Sequence, residues 1–326
     1  MEKQGKLEIR GAFHIAIIKE VDRTIERFWN DLGIGPWQII TIGSGSERMT
    51  LRGKPIFGKV RAAVTQVGPL MIAVDQPLSR PNPYEEILDQ RGGGAHHLAL
   101  IVERLDQATE EMERMGYKEI TSAYGIGPSG DGAGAYFDTI GHMGTVIELA
   151  QLPSGGMPPP EGVFPSPDKL TKASKITIRG AVYVAIAVRD AGKAAEHYQK
   201  DLGIGPWKMV TFGPEVKKAT YRKKTVSFAV KRALAQVGPM ALALEQPLSG
   251  PSPLQDFLDQ NGQGIQRICL AVDALGQATE EMQRLGYEEL GAVYGFGPKG
   301  DGEARCFDTE KSLGIVIELA NVSDGA

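Results

Sequence analysis

This chain of 326 residues has few features that would indicate a cellular compartment or a macromolecular partner. Its two cysteines, Cys269 and Cys306, form no CxxC pattern, so neither a disulfide framework nor a cysteine metal site is expected. The net charge is −4 and basic runs are absent, which disfavours nucleic acid as a partner. The apolar runs are too short to span a membrane, and the N-terminus lacks a signal core. We therefore expect a cytoplasmic protein with no membrane partner.

The chain instead contains an internal repeat at a spacing of 170 residues. The segment DLGIGPW occurs at 31–37 and 201–207, and QATEEM occurs at 107–112 and 277–282. A stretch rich in Pro, Gly and Ser at 152–175 separates the copies and is predicted to be an extended linker. These observations predict a first domain at 1–151 and a second domain at 176–326.

Each domain is itself a weaker repeat. In the first, HIAII precedes VDRTIERFWNDLG at 21–33, and HLALIV precedes LDQATEEMERMG at 105–116. Apolar residues recur at helical spacing in both longer segments, and each of these segments ends at a glycine. Three short β-like segments with hairpin-length turns follow each helix. We predict an α+β fold of four βαβββ modules, two per domain, rather than a doubly wound parallel sheet.

Aligning the half-repeats makes four positions of the first domain equivalent. These positions are His14, Ala73, His97 and Glu148. The same positions in the second domain are Tyr183, Ala243, Arg267 and Glu318. Two imidazoles and one carboxylate suit Zn, Fe(II), Mn, Co or Ni and leave coordination positions open for a substrate. We predict that His14, His97 and Glu148 bind one divalent metal, and that an Arg267–Glu318 pair replaces the metal in the second domain.

Further candidates lie near these strands. Tyr136 and His142 differ between the two copies in the same direction as the ligands, since their counterparts are Cys306 and Ser312. We predict catalytic roles for Tyr136, His142 and Glu148; a packing aromatic and a loop residue are the alternatives for the first two. His96 is expected to point to the face opposite His97, because side chains alternate along a strand.

These residues carry a resemblance to a known family. The starts HIAI and HLAL, the DLGIGPW segment, GAHHLAL and the closing YFDT and GTVIEL resemble the vicinal oxygen chelate superfamily, which includes glyoxalase I, methylmalonyl-CoA epimerase, bleomycin-resistance proteins and extradiol dioxygenases. The resemblance covers both domains and implies paired modules that curl into open barrels around a metal. The isomerase and epimerase members have a fourth ligand where this chain has Ala73, which cannot ligate. Asp75 lies two residues further along the same strand face, too far toward the strand end to take this place.

The resemblance implies several functions, and the sequence leaves them open. The first expectation is a metal-dependent isomerase, epimerase or lyase that chelates adjacent oxygens of a small substrate and works through an enolate. The alternatives are an Fe(II) extradiol-type dioxygenase and a small-molecule binding or resistance protein. The expected partner is a small molecule, and a homodimer is compatible with the sequence.

Overall fold

The computed structural model describes residues 7–43, 48–169, 174–297 and 299–321. In the first half, the elements follow the chain in this order: β1 (Ile9–Ile18), α1 (Val21–Leu32), β2 (Trp37–Ile42), β3 (Arg48–Leu51), β4 (Lys54–Ile56), β5 (Val60–Val67), β6 (Leu70–Pro77), α2 (Glu85–Arg91), β7 (Gly94–Val102), α3 (Leu105–Arg114), β8 (Lys118–Ile126), β9 (Gly132–Asp138), α4 (Ile140–Met143), β10 (Val146–Gln151) and β11 (Gly162–Phe164).

The second half repeats this order after a short 3₁₀ turn at Pro167–Lys169. Its elements are β12 (Ile178–Ala187), α5 (Ala191–Asp201), β13 (Lys208–Phe212), β14 (Lys218–Tyr221), β15 (Lys224–Val226), β16 (Ala229–Val237), β17 (Met240–Ser249), α6 (Pro253–Asn261), β18 (Gly264–Val272), α7 (Leu275–Arg284), β19 (Glu289–Phe296), β20 (Gly302–Phe307), α8 (Glu310–Leu313) and β21 (Val316–Asn321). Among the described residues, the structure contains no helix that could span a membrane.

Each half forms one large mixed sheet. The first has the order β11-β2-β5-β6-β1-β7-β10-β9-β8-β3-β4, and the second has the order β13-β16-β17-β12-β18-β21-β20-β19-β14-β15. The first strands of the two modules, β1 and β7, lie side by side and antiparallel, and each is flanked by the last strand of its own module in parallel. This arrangement confirms the predicted α+β fold of tandem modules. It brings the starts of the modules together at the middle of the sheet.

A hairpin of β3 and β4 lies between β2 and β5 in the chain, and the sequence pattern did not predict it. Strands β3 and β4 pair with each other, and β3 also pairs with β8 of the other module. Arg52 and Gly53 at the tip both have positive φ, at 49° and 73°, as a type I′ turn requires. The hairpin β14-β15 pairs with β19 in the same way. Each hairpin thus pairs the first module of its domain with the second module.

The helices cover the outer face of the sheets because one face of each is apolar. In α1, Val21, Ile25, Phe28 and Leu32 are all buried at helical spacing. The carboxylate of Glu20 accepts hydrogen bonds from two backbone N–H groups of the first turn. The helix ends at the predicted Gly33, whose left-handed conformation closes the last turn.

Part of the predicted linker at 152–175 pairs with the first sheet, and its residues 170–173 lie outside the described residues. Its strand β11 pairs antiparallel with β2, and the side chain of Thr41 donates a hydrogen bond to Glu161 at 2.9 Å. A hydrophobic core with members from both halves continues across the junction. The boundaries at 151 and 176 stay predictions.

Candidate metal centre

The three predicted ligands meet at the centre of the first sheet. His14 lies on β1, His97 on β7 and Glu148 on β10, which are three adjacent strands. His14 Nε2 lies 3.4 Å from His97 Nε2. Glu148 Oε2 lies 3.4 Å from His14 Nε2 and 3.1 Å from His97 Nε2. The three donor atoms converge on one point, and no other His, Cys, Asp or Glu of the described chain joins them in a group of this kind.

The electrostatics of this trio suit a cation. Burial lowers the pKa of His14 to about 4 and that of His97 to about 3, so both imidazoles are neutral near pH 7. Burial also raises the pKa of Glu148, although His14 opposes that effect. Glu148 Oε2 is buried and has no hydrogen-bond partner among the described residues. Neutral imidazoles and an unsatisfied carboxylate oxygen are what a divalent metal binds, so the residues fit the group that the resemblance implies.

The side chain of His96 contacts that of His97. It does not face away from His97, contrary to the expectation from strand alternation. Its Nδ1 lies 3.0 Å from His97 Nδ1, and its ring contacts the ring of Tyr84 edge-on at 5.2 Å. The reason is a β-bulge, because Ala16 pairs with His97 but Ile17 pairs with Ala95, which leaves His96 as the extra residue. A His97 Nδ1–H that donates to His96 leaves Nε2 free to ligate, as bound histidines require.

The pairing also explains the missing fourth ligand. Ala73 pairs with Ala16 as Glu148 pairs with Ala99, so Ala73 takes the position of Glu148 in the other module. Asp75 does not join the ligand cluster, yet it lines the same cavity of about 70 Å³ as Glu148. Burial, followed by the charge of Glu148, raises the pKa of Asp75 to about 7, while a hydrogen bond with Tyr84 opposes the rise.

Tyr136 lies at the site as the sequence predicted, and its catalytic role stays a prediction. It pairs with Glu148 across β9 and β10, and its ring centroid is 4.5 Å from that of His97. Its hydroxyl lies 3.0 Å from the hydroxyl of Tyr84. Sequence reasoning missed Tyr84, which precedes α2. A signal existed, because its counterpart in the second domain is Leu254 and the difference between copies follows that of the ligands.

His142 is placed elsewhere. It lies on α4, and its ring stacks on His197 of α5 with a centroid distance of 4.5 Å and meets Tyr117 edge-on at 5.6 Å. Tyr117 in turn donates a hydrogen bond to Asp201 at 2.5 Å. These contacts join the two halves of the chain. The structure therefore does not bring His142 to the trio of His14, His97 and Glu148.

In the second domain an ion pair occupies the corresponding place. Arg267 Nε donates to Glu318 Oε2 at 2.9 Å, and Tyr183 donates its hydroxyl to Glu318 Oε1 at 2.5 Å. Burial would raise the pKa of Glu318, but Arg267 and Tyr183 outweigh it and lower the pKa to about 2. The predicted Arg267–Glu318 pair is thus confirmed, and it fills the position of the metal ligands with hydrogen-bonded charges.

Comparisons with known proteins identify the family of this chain. The family model of the glyoxalase/bleomycin resistance protein/dioxygenase superfamily matches residues 13–137 and 183–307. No curated protein matches the chain. Among solved structures, a mutant 4-hydroxymandelate synthase from Streptomyces coelicolor is 14% identical with a TM-score of 0.60, covering 96% of this chain and 92% of that one.

Two further solved structures are more distant in shape. A Mn(II)-bound glyoxalase from Novosphingobium aromaticivorans is 11% identical, covers 96% of this chain and 82% of that one, and has a TM-score of 0.45. Methylmalonyl-CoA epimerase from Mycobacterium tuberculosis is 23% identical, covers 45% of this chain and 89% of that one, and has a TM-score of 0.34. Because the family model covers most of both halves, the chain belongs to the glyoxalase/bleomycin resistance protein/dioxygenase superfamily.

Proposed function

We propose that the first domain binds one divalent metal ion through His14, His97 and Glu148 and catalyses proton transfer on a small substrate with adjacent oxygens. The outcome is isomerisation, epimerisation or elimination. The observation that carries the proposal is the buried Glu148 Oε2, which has no hydrogen-bond partner within the described chain and lies beside two imidazole nitrogens. Zn, Fe(II), Mn, Co and Ni all suit this set of donors.

A bound metal of this kind supplies a Lewis acid that polarises a substrate carbonyl. The proton then needs an acceptor in the chain, and Asp75 is the best placed. It lines the cavity next to Glu148 and is buried, and burial raises the pKa of its carboxyl above the ordinary value, which favours its taking up a proton. Burial raises the pKa of Tyr84 and Tyr136 well above the usual range, so both hydroxyls stay protonated and can donate hydrogen bonds to a substrate oxygen.

Hydrogen exchange tests this assignment without knowledge of the product. The metal-reconstituted protein is incubated in D₂O with hydroxyketones, 2-hydroxy acids and 2-oxo acids, and loss of the C–H signal beside the carbonyl is followed by NMR. We expect exchange with wild type and none with Asp75→Asn, which still binds the metal, or with Glu148→Gln, which does not. A substrate that exchanges equally fast with Asp75→Asn would contradict the role of Asp75. His142→Ala is the control histidine variant and keeps full exchange.

One observation favours a second candidate function. The donor set holds two histidines and one carboxylate, with Ala73 at the fourth position, and this three-donor set is also that of non-heme Fe(II) oxygenases. The second candidate is therefore ring cleavage of a catechol by an Fe(II) enzyme. Oxygen uptake with catechols by the Fe(II)-loaded protein, with no uptake by the Zn or Ni forms, would decide for this candidate over proton transfer.

A further inference from the structure

The larger of the two barrel cavities lies in the second domain, away from the proposed metal. It measures about 130 Å³, against about 70 Å³ at the metal ligands of the first domain. The residues that line it are mainly apolar and include three phenylalanines, Phe212, Phe228 and Phe296. A cavity of about 150 Å³ lined by apolar side chains is large enough to hold benzene. At about 130 Å³ the second cavity is close to that size and has a similar lining, which fits one aromatic ring.

One end of this second cavity is polar, and its charges pair among themselves. Arg267 donates to Glu318 and also to Glu245, with its Nη2 2.9 Å from Glu245 Oε1. Arg232 pairs with the same Glu245 oxygen at 2.7 Å. The end thus holds two guanidinium groups and two carboxylates with no excess of either sign. An entering carboxylate would add an unbalanced charge to this buried network, which is costly.

One hydrogen-bond donor at this polar end has no acceptor among the described residues. Arg232 Nε is buried and has no hydrogen-bond partner in the described parts of the chain. Its guanidinium lies over the ring of Phe212 at 4.5 Å and over that of Tyr183 at 5.3 Å, and these contacts fix its position in the cavity. The first domain has no such group, because its counterpart is Ala62. A buried donor without an acceptor is unfavourable, and a ligand oxygen would satisfy it.

We propose that the second domain is a binding site for an uncharged aromatic molecule with a hydroxyl or carbonyl oxygen, in which the ring packs among the phenylalanines and the oxygen accepts from Arg232 Nε. This site is separate from the proposed metal centre. Tyr183 and Arg267 stand where the first domain has its histidines, so the second domain binds this molecule without a metal and without transforming it.

Calorimetric titration of the purified full chain with phenol, toluene and benzoate tests the proposal. Phenol and toluene have the same shape and differ in the oxygen, whereas benzoate adds a charge. We expect phenol to bind about tenfold more tightly than toluene, as one hydrogen bond to a charged group provides, and benzoate to bind more weakly than phenol. Tighter binding of benzoate than of phenol would overturn the assignment of an uncharged ligand, and equal binding of phenol and toluene would overturn the role of Arg232.

Variants locate the site. Ala292 lines the second cavity, so Ala292→Leu should fill it and abolish the binding, and Cys306→Tyr, which introduces the residue of the first domain, should do the same. Ser122→Leu is the matched change in the first barrel and should leave phenol binding intact. Arg232→Ala should remove the preference for phenol over toluene. Binding that survives both filling variants would refute the site. Glu148→Gln separates the two proposals, because it should abolish metal binding and leave phenol binding unchanged.

Discussion

Replacing Asp75 with asparagine should stabilise the metal-free protein at alkaline pH while abolishing proton transfer. The wild-type carboxyl has a pKa of about 7 in the folded protein, against an ordinary value of 3.8, mainly because it is buried. A change of one in pKa corresponds to about 1.4 kcal/mol, so ionised Asp75 costs the fold up to about 4 kcal/mol. Asparagine is never ionised, yet it keeps an acceptor oxygen for Tyr84.

The sign of the pH dependence follows from the two pKa values. Below about pH 3.8 the carboxyl is protonated in both the folded and the unfolded chain, and no cost arises. Between about pH 3.8 and 7 the unfolded chain binds fewer protons than the folded chain, so stability falls as pH rises. Above about pH 7 the full cost is present. The free energy of unfolding of Asp75→Asn should therefore exceed that of wild type by up to about 4 kcal/mol at pH 8 and match it near pH 4.

Urea denaturation in the presence of a chelator, followed by circular dichroism from pH 4 to pH 9, measures this difference. The control is Asp89→Asn, a largely exposed carboxylate on the surface, which should stay within about 0.5 kcal/mol of wild type throughout. An Asp75→Asn protein that is less stable than wild type at pH 8 would refute the reasoning, because Asp75 would then be a stabilising ionised partner rather than a carboxyl held at a cost.

Three further predictions follow from the structure. In Gly134→Ala the new Cβ would lie 2.9 Å from Glu148 Oε1, so metal affinity measured by titration should fall at least about tenfold, and an unchanged affinity would contradict ligation by Glu148. His97 is buried and its pKa is about 3, against an ordinary value of 6.5. Below pH 6.5 the folded chain therefore binds fewer protons than the unfolded chain, and its stability falls on acidification. Between pH 6.5 and pH 4.5 metal-free wild type should therefore lose about 2 kcal/mol more than His97→Leu, and equal losses in urea denaturation would contradict the lowered pKa. Tyr287→Phe removes the 2.5 Å hydrogen bond to buried Asp31 at the junction and should cost about 1–3 kcal/mol in thermal unfolding, whereas no loss would show that the bond is not needed.

The regular elements were predictable because their signals are local. Both long helices of the first domain begin and end close to the predicted residues, since periodicity and the terminal glycine act within one segment. The hairpin β3-β4 was not predicted, because its strands have only four and three residues and carry no alternating pattern. It owes its place to pairing with β8, which lies far away in the sequence.

The site shows the same division between local and distant causes. His14, His97 and Glu148 were found because the half-repeats align, and the alignment survives in the strand register. The contact of His96 with His97 depends on a bulge, which strand alternation does not anticipate. The raised pKa of Asp75 depends on burial and on the charge of Glu148, which lies far away in the sequence. The cytoplasmic location and the homodimer stay predictions.

Metal content is the most direct test of the central claim. Elemental analysis and titration with Zn, Mn, Co, Ni and Fe(II) would be made on wild type, on His97→Ala and on two controls, His142→Ala and Tyr183→Phe. The account predicts one ion per chain in wild type and in both controls, and none in His97→Ala. A His97→Ala protein that still binds one ion per chain, or a wild type that binds none of the five metals, would contradict a metal centre at His14, His97 and Glu148.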